Sequence, residues 1–385
     1  MSDTVMSGTA TMSILDTIPT EIMLSIIEEM NLRTIITFML TCKGYAQLIR
    51  THKRSICTNR SRGYPVPPSG MIFTSDILER GIAKLGEFPI LAELELRESR
   101  IEFLVQHFPH FGNLAAVAGI GPMTSAQRAR LAPLIRRALW QCDAISDIAA
   151  RVPIIPEKDT SCMSERELWA YQAHCDDMDR VACDDPHRFV NARATQLAYV
   201  RGLATEDLAA LLLLVTALGS GYMRLRNREW ATTRGRGRER ALIFEEITLR
   251  HGSWFLWAEI CGSASMRAHA RRMIHAGCEE LGEFEAGSPL APPGVKMTLM
   301  ELLRKRFQAG AGAAAPPRGN KVIVKAFNLI KRIIGMKPEE DDDEKKESEN
   351  EETEAKETET PAPAENADAA GQAGMILTQA PAGAA

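Results

Sequence analysis

His174, Cys175, Cys183 and His187 are the closest this sequence comes to a set of metal ligands. Imidazole and thiolate suit zinc, but structural zinc sites bring ligands in close pairs such as Cys-x-x-Cys. His174 and Cys175 are adjacent and would point apart on a helix, so no metal is expected. His107 and His110 flank Pro109 in "HFPH" and read as an ordinary loop pair. The chain has no Gly-x-Ser-x-Gly, no Gly-Lys-Ser/Thr phosphate loop and no His-Glu-x-x-His. Those motifs serve acyl transfer, nucleotide binding and metalloproteolysis. No catalytic residue and no cofactor is expected.

Binding chemistry is better represented. Residues 223–240, "MRLRNREWATTRGRGRER", hold seven Arg and two Glu, with Gly235 and Gly237. Arg234, Arg236 and Arg238 are candidates for holding RNA, phosphate or an acidic peptide. A solvated basic loop is the plain alternative. "RHGSWFLWAEI" follows, with Trp254 and Trp257. Trp beside Arg is the composition of an interaction hot spot. The two Trp would also share one helix face, which suits a buried core.

The elements that must position these groups begin with residues 14–30, "ILDTIPTEIMLSIIEEM". No Lys or Arg precedes Arg33, and Glu21, Glu28 and Glu29 interrupt the apolar positions, so this is no secretory or mitochondrial signal. The apolar run from Leu208 to Leu218 is short for a bilayer, which takes about 20 residues. A soluble protein of the cytoplasm, nucleus or both is expected. Pro19 suits a helix start, and Glu21 sits where the helix dipole favours negative charge. Ile22, Met23, Ile26, Ile27 and Met30 recur at helical spacing. Asn31 can cap a second helix whose Leu32, Ile35, Ile36, Met39 and Leu40 share a face. A third helix spans 43–52 with Tyr45, Leu48 and Ile49. Three short helices carry more apolar surface than so small a unit can hide, so some of it needs a partner, in this chain or another.

Leu15-x-x-Ile18-Pro19-x-Glu21-Ile22, then Ile26-Ile27, Leu32, Ile35 and Thr41-Cys42-Lys43-x-Tyr45 resemble an F-box over residues 13–57. Ile18 stands where Leu is usual and Tyr45 where Trp is common, and both keep an apolar contact. The general style is similar to F-box proteins of filamentous fungi. The resemblance implies a subunit that binds the Skp-type adaptor of a Skp–cullin–RING ubiquitin ligase, and through it a cullin. The rest of the chain would hold an unknown protein substrate, and catalysis would lie with the partners. Leu15, Ile18, Pro19, Glu21, Ile22, Ile26, Leu32, Ile35, Cys42, Lys43 and Tyr45 are the adaptor-binding residues so implied. Two rivals stay open: an Arg-rich nucleic-acid-binding protein whose first helices are only core, and an adaptor-binding protein with no part in degradation.

At 385 residues, two domains plus tails are expected. Eight Cys without a secretion signal imply reduced thiols. The net charge of −4 is unevenly spread. Residues 339–368 hold 15 acidic and 3 basic side chains, a net of −12, which leaves +8 on the remainder. The fold class expected is mainly α. Residues 1–12 read as disordered, 13–57 as the F-box, 58–71 as a Pro/Gly/Ser linker and 72–285 as a helical body with helices at 125–150, 164–178, 205–218 and 240–250. "LAELELRESRI" at 91–101 reads as helix rather than a lone leucine-rich unit, since no second copy follows. Linkers in 286–320 flank a helix at 295–308. Residues 321–337 form a basic amphipathic helix, expected to dock on the body rather than on a membrane because the acidic tail follows at once. The tail, 338–385, lacks the apolar content to fold.

Overall fold

The computed structural model describes residues 18–75, 80–151, 164, 186–230, 237–286, 293–309 and 319–338. Among them the protein is nearly all helix. Helices α1 (Thr20–Glu29), α2 (Leu32–Thr41), α3 (Lys43–Thr51) and α4 (Lys53–Arg62) come first, followed by a hairpin, β1 (Ile72–Ser75) and β2 (Arg80–Ala83). The body comprises α5 (Phe88–Phe111), α6 (Leu114–Ala118), α7 (Ser125–Ala150), α8 (Pro186–Gly202), α9 (Thr205–Trp230), α10 (Gly237–Cys261), α11 (Ala264–Glu285), α12 (Val295–Ala309) and α13 (Gly319–Ile334).

The centre of the body is α9. Leu208 to Val215 are all buried, which a helix apolar on every side requires. Its stretch Thr205–Arg224 is long and apolar enough to cross a membrane by length and composition, yet most of it is enclosed by the other helices. α7, α10, α12 and α13 pack around it. α7 starts where its capping box dictates: Thr124 Oγ1 accepts from Gln127 N–H at 3.2 Å, and Gln127 returns the bond to Thr124 N–H at 2.9 Å. α13 turns Val322, Ala326, Phe327, Ile330 and Ile334 inward onto α7, α9 and α12, and leaves Lys321 and Arg332 in water.

α10 is sharply bent. Gly252 has φ 72°, a conformation that an L side chain resists. A Cβ at this position would lie 2.1 Å from Asp143 Oδ1. Asp143, buried in α7, accepts from Ser253 N–H (2.6 Å) and Ser253 Oγ (2.8 Å), so it caps the second half of α10 across the break. The helix expected at 240–250 therefore continues beyond a kink to Cys261.

The hairpin sits inside the stretch expected to be helical from residue 72. Its strands pair antiparallel, Ile72 opposite Ala83 and Ser75 opposite Arg80. It is clipped to α5 and α7 by buried charge. Arg97 donates to both oxygens of Asp147 (2.7 and 2.8 Å), to Glu93 (3.0 Å) and to the Phe73 carbonyl (2.7 Å). Asp147 accepts from Phe73 N–H, and Glu93 accepts from Ser75 and Arg100. Burial alone would push Glu93 up, but the Arg100 and Arg97 guanidiniums outweigh it and hold the carboxyl below its usual range.

The boundary expected at residue 57 is crossed by structure. α4 runs on to Arg62, into the segment read as linker. Leu32 of α2 and Cys57 of α4 belong to the main core with α5, while Phe88 of α5 packs against the small core of the first helices. Leu32 N–H donates to Glu95 Oε1 of α5 at 2.8 Å, and Arg60 pairs with the same oxygen at 3.1 Å. Residues up to Pro338 belong to one compact unit.

Candidate functional site

The first four helices build a core smaller than their apolar content. Met23, Ile27, Ile35, Ile49 and Ile56 are buried together, with Ile18, Leu24, Met30, Phe38, Met39, Tyr45 and Leu48 around them. On α1, at about 100° per residue, Met23 and Ile27 fall on one side of the apolar arc and Ile22 and Ile26 on the other. The structure buries the first pair and exposes the second, at 54% and 41%. α2 divides in the same way. Leu32 and Ile35 point inward, whereas Ile36 and Leu40 stand 48% and 82% exposed. The arcs are wider than the core needs, and the surplus half faces water on both helices.

These four are half of the eight large exposed hydrophobic residues on the described chain, within 19 positions. Scattered single exposures are ordinary, but a local concentration marks an interaction surface. Together they leave a little over two whole aliphatic side chains in water. A partner that covered them would gain about 3–7 kcal/mol of transfer free energy.

Local capping fixes the backbone under this surface. Asn31 Oδ1 accepts from Thr34 N–H at 2.8 Å and starts α2. Cys42 Sγ accepts from Tyr45 N–H at 3.4 Å and starts α3. Tyr45 stacks on Phe38 with ring centroids 4.3 Å apart, locking α3 to α2. Pro19 is the residue before α1, and its carbonyl accepts from Met23 N–H at 3.0 Å.

The structure thus sorts the expected adaptor-binding residues. Pro19, Glu21, Ile22, Ile26, Cys42 and Lys43 are exposed. Ile18 and Tyr45 are half-buried in the small core. Leu32 and Ile35 face inward: Leu32 is 8% exposed and Ile35 fully enclosed, so in the free chain both serve its own packing. Leu15 lies outside the described residues. Ile36 and Leu40 were not singled out as site residues, although they are the α2 residues that face out. The signal was available: six apolar positions on a ten-residue helix exceed what one small core covers.

Of the expected substrate-binding residues, Arg234 and Arg236 lie outside the described residues, and Arg238 falls in the first turn of α10. Trp254 lies in the core, the reading that its shared helix face with Trp257 suits, and not on a binding surface: it is 5% exposed and meets His269 edge-on at 5.3 Å. Trp257 is half-buried against the same core. His107 lies within α5, stacked on Phe103 at 4.1 Å, and not in a loop. His174, Cys175 and Cys183 lie outside the described residues. Among the described residues no group of three or more His, Cys, Asp or Glu could hold a metal ion.

A helical module with a compact core and paired aliphatic side chains turned outward is a protein-docking module. Residues 15–56 match the family model of the F-box domain, so this chain carries an F-box at its N-terminus. No curated protein and no solved structure matches the chain.

Proposed function

We propose that this protein is an F-box substrate-recognition subunit. The F-box docks on the Skp-type adaptor of a Skp–cullin–RING ubiquitin ligase, and the helical body presents a protein target. The supporting observation is the outward aliphatic set Ile22, Ile26, Ile36 and Leu40 within residues that match an F-box. On this reading the chain contributes binding rather than chemistry and works in the cytosol, the nucleus or both. Co-expression with a Skp-type adaptor should yield a stable complex on gel filtration. A target captured by the body should gain half-life when Ile22 and Leu40 are both replaced by Ser. A chain that elutes alone in the presence of excess adaptor overturns the proposal. A target whose half-life ignores the substitutions leaves an adaptor-binding protein outside degradation.

A further inference from the structure

α11 places its charges against the helix dipole. The N-terminus of a helix favours acids, and α11 has none in its first turn. Between Glu259 and Glu279 the chain carries Arg267, His269, Arg271, Arg272 and His275 and not one acid. The inward face of α11 is ordinary: Met266, Ala270, Met273, Ile274 and Gly277 are buried. Directly opposite, Ala264, Ala268, Arg271 and His275 follow one line, with Arg267 on one side and Arg272 on the other.

These six residues line an open depression of about 550 Å³. Ala264 and Ala268 bring only methyl groups to it, so the three guanidiniums dominate its chemistry. All six are exposed, and among the described residues no carboxylate pairs with Arg267, Arg271 or Arg272. Arg272 instead donates to His269 Nδ1 at 2.9 Å, and His269 rests against Trp254, which fixes that guanidinium from behind. Elsewhere in the body Arg97, Arg136, Arg137, Arg193 and Arg250 each have a carboxylate. Other exposed arginines, such as Arg128 and Arg130, also lack a carboxylate partner among the described residues, but those of α11 gather three guanidiniums around one depression.

We infer that this face of α11 is a docking surface for an acidic, extended segment of a protein partner. On the receptor reading above, on which the word substrate rests, that partner is the substrate. The depression runs roughly 17 Å along the helix, the span of about five residues of extended chain. A backbone lying along this face brings carboxylates on alternate residues within reach of the guanidiniums. Nucleic acid is the other polyanion, but the lining holds no Phe, Tyr or Trp for successive bases to stack on, and its one imidazole, His275, faces the Glu279 carboxylate at 3.3 Å.

The test uses the full chain and a short fluorescein-labelled oligo-glutamate peptide, read by anisotropy at low and high salt. Arg267→Glu with Arg271→Glu should weaken binding about tenfold at low salt, with the difference fading at high salt. Arg128→Glu with Arg130→Glu, exposed on α7, makes the same change in net charge and should alter affinity by less than about twofold. Both variants should melt with the wild type, because the replaced side chains are in water. Equal weakening in the two variants would mean bulk charge and overturn the inference, as would unchanged affinity in the α11 variant. A uridine oligonucleotide that binds more tightly than the peptide and is lost in the α11 variant would overturn it in favour of nucleic acid. Adaptor binding is read on the same samples. Peptide binding without adaptor binding removes the receptor reading and keeps the surface; adaptor binding without peptide binding does the reverse.

Discussion

Replacing Ile36 and Leu40 together by Ala separates docking from folding. The two side chains are 48% and 82% exposed, so the folded chain gains little from them. A covering partner would bury the equivalent of about 1.3 aliphatic side chains at these positions, which amounts to roughly 2–4 kcal/mol. That corresponds to a 30- to 1,000-fold increase in Kd, approximately. The assay is calorimetric titration of the purified chain with a Skp-type adaptor, beside a thermal melt of the chain alone. The melt should stay within about 2 °C of wild type, since surface truncations cost little stability. Ile35→Ala is the contrasting variant. Its side chain is fully enclosed beside Ile27 and Ile49, and emptying that space should cost about 2–5 kcal/mol of stability. Ile35→Ala should therefore lose adaptor binding only to the extent that it loses the fold. An Ile36/Leu40 variant that binds the adaptor within twofold of wild type would refute the argument, because it would show that the outward half of the arc is not the contact.

Cys42 is exposed in the F-box and Cys261 exposed in the body, so a maleimide probe should label both; adding the adaptor should slow Cys42 and leave Cys261 unchanged, as read by mass spectrometry. Cys57 is buried and its thiol is pushed up to about 11 by burial, so it should resist labelling until the chain unfolds. Asp147→Asn takes the two-oxygen carboxylate from the buried Arg97 guanidinium and leaves it only the Glu93 carboxylate, which should cost about 3 kcal/mol in urea denaturation, whereas Arg97→Met with Asp147→Leu should cost less, because opposite charges leave together and Glu93 keeps Arg100. Glu93 is held below the ordinary carboxylate range, so its contribution is full above that range and is lost as pH falls through the depressed folded value. Glu93→Gln should be less stable at neutral pH and show a flatter loss of stability in acid, and an unchanged acid slope would place the acid transition on other carboxylates.

Much of the fold was legible from local signals. The capping box sets the start of α7, and the sequence reading at 125–150 coincides with the helix. Asn31 caps α2 as its side-chain chemistry requires. The apolar period of residues 295–308 and 321–336 marks α12 and α13, because each buries one face on a single surface. The hairpin was not legible. Four residues per strand are too few to show a period, and its clamps, Glu93, Arg97 and Asp147, lie 18 to 74 residues away in the chain. The bend of α10 was hidden as well, since Gly252 alone does not announce a kink; the partner that holds it, Asp143, is 110 residues distant. In the candidate site, periodicity identified the apolar arcs of α1 and α2 but not their division. Which half turns inward depends on where α4 and α5 stand, and that is long-range information. Composition leaves Trp254 open for the same reason, since an aromatic beside Arg looks like a hot spot whether it faces water or His269; its shared helix face with Trp257 is the signal that points to the core.

The seam between the F-box and α5 has a consequence for aim. Leu32 and Cys57 sit in the same core as α5, and Glu95 holds both Leu32 N–H and Arg60. The joint is held both by apolar contact and by the shared Glu95 carboxylate. On the receptor reading proposed above, a target held by the body would be carried at a set bearing and reach from the adaptor, and the lysines presented for modification would be chosen by where they fall along that line of sight.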